Sequence, residues 1–458
     1  MHFGFRSMLS SQNLTDVGGR SQNFKHRRPP VIGVFSKFIN FLIFTYIIIW
    51  ALDPALFGGA AVIFPAARWL LAVAMILLLP LATPKGIGKA WPAIFFVIVL
   101  GATLLLDQER SEAFPIYLRI VSTVTVAILV GSMTLDKRVR AARSALFASA
   151  AIVLSSELFG VVAPSLAYKL IGLDRPRLYG VTTHPGILGY LAAFVSVFYI
   201  SKSILGRGSY SRKERRRSFF VGITVGVALL MADSRTGQIA VAVGLGVAIF
   251  LIFVLRVPWV LRNLAPAWLA LATISLLAVS FPVWIASGAY ELSNVSKGDR
   301  YSGSTLGRIE IWQGGIREFE RNKSTGAGLA STFRTSDMSE AQEPLFYYHS
   351  VLINYLAKAG ILGGAAVILI YLGISWSVMS AARQFSYFRL NMQSSPSDAN
   401  KDDHEIAQNL LTLLLYANAG WAVTLVYSVT EAALQNMYPS FLIFFTALTL
   451  TTRKNQQL

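Results

Sequence analysis

Residues 185–203 read PGILGYLAAFVSVFYISKS. The stretch carries no acid, and its only charge, Lys202, lies near its end. A helix needs about 17–25 predominantly apolar residues to cross the hydrocarbon core of a bilayer, and a run of this length is too long for an ordinary soluble core. Similar stretches recur near 33–52, 66–83, 91–106, 115–133, 143–163, 218–232, 237–256, 264–286, 350–380, 408–430 and 436–452. The pattern predicts an all-α polytopic membrane protein of about 12 transmembrane helices. The tenth stretch is unusually long, and Gly360, Gly363 and Gly364 inside it mark a place where it could break. Composition agrees: 54% of the 458 residues are hydrophobic and 14% are charged, where a soluble domain carries about 25% charge. With no cysteine, disulfides, thiolate metal sites and a cysteine nucleophile are excluded.

The basic residues give an orientation. The short loops on one side carry only Arg110, Lys169, Arg175, Arg177 and Arg235. Basic residues are far denser on the other side, as in Lys137, Arg138, Arg140 and Arg143, or the run SRKERRRS from Ser211 to Ser218. Positive loops stay in the cytoplasm, so both termini are predicted to be cytoplasmic. The net charge of +18 then reads as topology and contact with anionic lipid rather than affinity for nucleic acid. SRKERRRS reads as such an anchor, with a docking site for a regulator as its other reading.

The organisation expected is a disordered basic cytoplasmic tail over 1–32, helices one to nine over 33–286, a large outer loop with an amphipathic helix over 287–349, helices ten to twelve over 350–452, and a short cytoplasmic tail over 453–458. No cleavable signal peptide is evident, and the polar stretch 394–405 reads as a flexible linker.

Polar residues that topology does not explain collect on the outer side. Arg175 and Arg177 flank Pro176 in a loop that ends in His184-Pro185-Gly186. They suit either an ion pair with Asp174 or a site for phosphate oxygens, which the guanidinium fork fits. Arg235 starts a helix after the turn Asp233-Ser234, where it could pair with Asp233 or join free N–H groups in holding an anion. In the long outer loop Ile309, Trp312, Ile316 and Phe319 fall at helical spacing, an amphipathic helix lying on the outer interface; Gly314 and Gly315 should weaken it by roughly 1 kcal/mol each. Arg308 sits near its start. His184 and His349 are the outward histidines, and His349 stands where the long loop meets the tenth stretch. Arg119 lies a turn inside the fourth stretch, there either snorkelling or facing an outward cavity. Arg68 should snorkel, and Lys358 should face protein or water.

Together these segments resemble the O-antigen ligase and polymerase superfamily, which includes bacterial exopolysaccharide polymerases. The pattern of His, then Asn, Ser or Gln, nine residues, Gly, two residues and Gly is met by His349-Ser350, Gly360 and Gly363. The stretch 177–189 with its Arg-Leu-Tyr-Gly and His-Pro, then Ser234-Arg235-Thr236-Gly237, then Arg308 to Trp312, follow in the expected order, and the resemblance spans about 115–450. One departure is Lys358, where many members carry an acid.

The resemblance implies a GT-C-like glycosyltransferase in the bacterial inner membrane, its large loop periplasmic, working without a metal or other cofactor on a polyprenyl-pyrophosphate-linked sugar. The residues agree with that chemistry. Arg175, Arg177, Arg235, Arg308 and Arg119 could hold the pyrophosphate, and His349 has the side chain and the position for a general base. No outward Asp-x-Asp pair is present to bind Mg²⁺ or Mn²⁺. The leading expectation is an exopolysaccharide polymerase. The second is a ligase that moves finished glycan to a lipid or protein acceptor, and a third, of another class, is a polysaccharide or lipid transporter. Expected partners are the lipid-linked oligosaccharide, the bilayer, and a chain-length regulator or export complex.

Overall fold

Each of the apolar stretches coincides with a helix over most of its described residues in the computed structural model, which describes residues 30–107, 109–171, 175–254, 265–288, 305–332, 348–394, 401–430 and 438–450. The order is α1 (Pro30–Ala51), a 3₁₀ segment (Pro54–Val62), α2 (Ile63–Leu77), α3 (Pro84–Lys89), α4 (Trp91–Leu106), α5 (Arg110–Ser132), α6 (Leu135–Val162), α7 (Pro164–Ala167), β1 (Tyr168–Ile171), β2 (Arg175–Leu178), α8 (Pro185–Leu205), α9 (Arg212–Met231), α10 (Arg235–Val254), α11 (Ala265–Gly288), α12 (Thr305–Arg321), α13 (Val351–Ser394), α14 (Lys401–Thr430) and α15 (Tyr438–Thr449). Among the described residues, seven helices are long and apolar enough to cross a membrane, and Phe35–Ala51, Trp91–Leu106 and Arg235–Leu251 are shorter apolar helices. The tail before Pro30, most of the linker near 395–400 and the chain after Leu450 lie outside the described residues.

Burial sorts the helices into centre and rim. The apolar stretch of α14 is 94% buried, against 17% for the helix at Ile63–Leu81, so α14 is the axis of the bundle. The rim exposes Leu70, Leu77, Leu158, Val161, Leu230 and Leu277, an apolar surface too large for water and suited to acyl chains. Around α14 the helices are joined by hydroxyls and a ring nitrogen. Trp421 Nε1 donates to Ser275 Oγ on α11 and Ser375 Oγ on α13, each at 3.0 Å. Tyr371 shares a hydrogen bond with Ser428, and Tyr190 on α8 shares one with Thr424 at 2.7 Å. In lipid, where apolar contact alone does not drive helices together, such bonds supply association at roughly 0.6–2 kcal/mol each.

The direction of each helix and its end contacts fix which loops share an end. At one end, Asp53 N–H donates to Val181 O and Thr183 N–H to Ala51 O, joining the end of α1 to the segment before α8. At the other, Arg138 at the start of α6 is buried and donates to Met133 O at 2.8 Å and to Leu450 O at 3.2 Å, so the end of α15 lies with the start of α6.

The loop between α6 and α8 contains a hairpin, β1 and β2 pairing antiparallel with Lys169 opposite Arg177. Two expectations are corrected here. Arg68 does not snorkel; its guanidinium donates to Ile49 O and Leu52 O and caps the last carbonyls of α1. The apolar stripe of α12 is not turned to the bilayer interface. Ile311 and Trp312 are buried against Ala286 of α11 and Tyr348, Ile353 and Ala357 beside and within α13, with Ile309 and Ile316 packed alongside. Gly315 is what lets the helix approach: a Cβ there would stand 2.4 Å from Ile353 Cγ2 and 2.7 Å from Tyr348 Cδ1.

Candidate functional site

The tenth apolar stretch does break. Within α13, Ala359 has φ −128°, ψ 15° and Gly360 has φ 65°, ψ −161°, a backbone region that is essentially glycine's alone. A break frees carbonyls and an N–H that water would normally satisfy, and the chain following α12 takes them up. Ala327 N–H donates to Ala357 O at 2.8 Å, Gly328 N–H to Lys358 O at 3.1 Å, and Ile361 N–H to Lys323 O at 2.9 Å. Lys358, fully buried, donates from Nζ to Leu329 O at 2.9 Å. Asp107 at the end of α4 accepts from Leu329 N–H at 2.7 Å and Ala330 N–H at 3.3 Å. The sequence pointed to Lys358 and to the glycines but not to Asp107; its signal was an acid closing the apolar run Thr103-Leu104-Leu105-Leu106.

His349 stands two residues before α13, half-buried, with φ 48°. Its carbonyl accepts from Trp312 Nε1 at 3.4 Å, so α12 grips the backbone of the histidine. Arg308 lies one helical turn before Trp312, partly exposed. Burial pushes the Tyr348 phenol above its ordinary range, and the Glu318 carboxylate adds to this.

The second group forms where the hairpin meets the turn between α9 and α10. Arg177 Nε lies 3.9 Å from Asp233 Oδ2, the side chains 40% and 36% exposed, so the carboxylate facing Arg177 comes from the turn before α10. An exposed pair at that distance contributes roughly 0–1 kcal/mol, which leaves the guanidinium available to a stronger anion. Asp233 has φ 47°, and Arg235, exposed, opens α10 two residues on. Ser234 Oγ accepts from Gly237 N–H at 3.2 Å and shares a 3.1 Å bond with Tyr427 Oη of α14. Behind Arg177, Lys169 pairs with Asp53 at 2.9 Å and lies 5.0 Å over the Tyr179 ring. Burial raises the Tyr179 phenol, against the opposing pull of Lys169 and Arg177, so it stays protonated and able to donate. His184 is a cap: its Nδ1 accepts from Gly186 N–H at 3.0 Å. Arg175 begins β2 opposite Ile171; its side chain and Asp174 lie outside the described residues.

Arg119 makes a third group. Its guanidinium and that of Arg68 each lie 4.8 Å from the Trp50 ring. The three groups share one end of the bundle. Trp50 and Asp53 tie Arg119 to the hairpin, Arg177 ties the hairpin to the turn before α10, and Asp107, between α4 and α5, holds the chain at Leu329. Asp233 and His349 are the positive-φ non-glycine residues among those described, and each falls in a segment already singled out for chemistry. Among the described residues no His, Asp and Glu trio is gathered for a metal ion.

Such an arrangement defines a class: a polytopic helical membrane protein whose candidate polar residues gather in the loops between its helices. Residues 220–368 match the family model described as O-antigen ligase, in agreement with the resemblance to the O-antigen ligase and polymerase superfamily. The matched stretch takes in the Asp233–Arg235 turn, Arg308, His349 and the break in α13, and it supports an activity of O-antigen ligase or polymerase type in a membrane-embedded protein. No curated protein matches the chain.

Proposed function

We propose that the chain is an exopolysaccharide polymerase of the bacterial inner membrane, which transfers a glycan from polyprenyl pyrophosphate onto another lipid-linked repeat unit at the periplasmic face. The acceptor sugar's hydroxyl oxygen attacks the anomeric carbon of the donor. The bond from that carbon to the pyrophosphate oxygen breaks, the hydroxyl proton passes to the His349 imidazole, and polyprenyl pyrophosphate leaves. In-line attack inverts the anomeric centre. Arg177, Arg235 and Arg308, with Arg175 and Arg119, take up the negative charge that grows on the leaving group, where preorganised donors act most strongly. No metal is required in this scheme. The polyprenyl chain lies against the apolar rim while its head reaches the loops.

The observation that carries the reading is the backbone of His349. An imidazole-bearing residue is held in a left-handed conformation by Trp312, at the same end as a weakly paired arginine. Strain of that kind, on the order of 1 kcal/mol or more, persists where the surroundings over-determine it, as at catalytic centres. The ligase reading uses the same residues with a different acceptor. Deleting the gene and sizing the glycans separates them. Single repeat units on carrier lipid are expected, whereas long carrier-linked chains would indicate a ligase, and unchanged surface polymer would contradict both.

A further inference from the structure

At the end of the bundle away from His349, α1 and α6 enclose a groove of about 480 Å³ lined by Asn40, Phe41 and Phe44 from α1 and Arg140, Arg143 and Phe147 from α6. Its chemistry is divided along its length. Arg140, Arg143 and Phe147 fall at helical spacings of three and four on one face of α6, with the cations nearest the start of the helix. Both arginines are exposed, and neither forms an ion pair with a carboxylate among the described residues; Arg140 gives one weak bond to Asp136 O at 3.4 Å. Beyond them Phe44 and Phe147 stack with centroids 6.0 Å apart, while Phe41 and Phe147 stay 59% and 67% exposed. The same face of α6 continues outward as Leu154, Leu158 and Val161, all exposed, an apolar track along the rest of the helix. Asn40 supplies a second, independent sign: its Oδ1 is buried in the groove wall with no hydrogen-bond partner among the described residues. Buried polar atoms are nearly always satisfied, and an orphan points to something that completes it.

We propose that this groove binds an acidic phospholipid of the phosphatidylglycerol type, its phosphate held by Arg140 and Arg143, a headgroup hydroxyl donating to Asn40 Oδ1, and an acyl chain laid along Phe41, Phe44, Phe147 and the apolar track of α6. Each part of that lipid meets a matching surface. Guanidinium forks suit phosphate oxygens, the orphan acceptor needs a donor that a choline headgroup lacks, and exposed aromatics at the boundary of the bilayer face acyl chains. Basic pockets between helices at the positive face are a recognised setting for anionic headgroups. The site stands apart from His349 and from any sugar chemistry.

Native mass spectrometry of the full chain, released from vesicles of equal phosphatidylglycerol and phosphatidylcholine with matched chains, tests it. The wild type should retain phosphatidylglycerol in preference. Arg140→Gln with Arg143→Gln should cut that retention by roughly ten- to thirtyfold, and Asn40→Leu should erode the preference with both arginines present. Arg212→Gln with Lys213→Gln removes the same charge from the neighbouring basic run and should leave retention intact; equal loss in both double variants would reduce the effect to bulk charge and overturn the site. Displacement by inorganic phosphate would show a free-anion site, and displacement by equimolar polyprenyl phosphate a carrier site; either result overturns the assignment, as does equal retention of the two phospholipids. Unfolding of each variant in detergent, followed by tryptophan fluorescence, confirms that lost lipid is not lost fold.

Discussion

His349 and Asp233 share a backbone conformation that side chains seldom adopt; Asp233 precedes Arg235 by two residues, and Trp312, one turn after Arg308, bonds the His349 carbonyl. The pair between Arg177 and Asp233 is long and exposed, so its loss should barely change stability. Arg177→Lys and Arg308→Lys should each lower transfer by about tenfold or more, because an ammonium lacks the planar fork that holds two phosphate oxygens at once, with the thermal midpoint unchanged. Full activity in both, measured as polymer formed per enzyme, would make these arginines loop anchors. At this scale the sequence was informative about residue type and silent about partners. Arg177 and Arg235 stood out as cations on the side that disfavours them, but Asp233 as the partner of Arg177 depends on a hairpin meeting a distant turn. The cap role of His184 was hidden for the same reason: an N-cap histidine and a catalytic one look alike until the helix start is seen.

The break in α13 is where element and site meet. Gly360 needs its left-handed backbone, and a Cβ there would lie 2.5 Å from Ser324 O. Gly360→Ala should therefore cost about 1–3 kcal/mol and loosen the chain that follows α12, read as a lower midpoint and faster proteolysis near Lys323. Asp107→Asn takes away the carboxylate that receives the Leu329 and Ala330 N–H groups and should cost about 1–3 kcal/mol, read as a lower thermal midpoint; an unchanged midpoint would show that this chain does not depend on the carboxylate. The glycine cluster foretold the break because three glycines in an apolar helix are costly without a reason. It could not foretell that loop 323–330 would fill the break, since those hydrogen bonds join segments about thirty residues apart. The amphipathic stripe of α12 was equally visible, yet period alone does not distinguish a lipid surface from the flank of another helix. Gly315, a weakness by propensity, proved to be the contact that decides between them.

For the whole molecule, length and hydropathy were enough to find the helices, because a bilayer demands long apolar runs and satisfies no backbone group itself. Helix direction then brings every second loop to the same end, which is why candidates from 119 to 349 could be grouped before any contact was known. Their mutual distances could not, as these depend on tilt and on the hydroxyl bonds about α14. The polymer account makes one demand of the assembled end: bond formation must release carrier lipid, and His349 must take the proton. Asn tolerates left-handed backbone almost as well as His, so His349→Asn removes the base while keeping the turn. The most direct measurement is polymer yield and polyprenyl pyrophosphate release by purified protein in vesicles supplied with lipid-linked repeat units. Wild-type protein should release one carrier per linkage formed, and His349→Asn should slow both together by about 10²–10⁴-fold with the fold intact. Undiminished release by that variant would contradict the account.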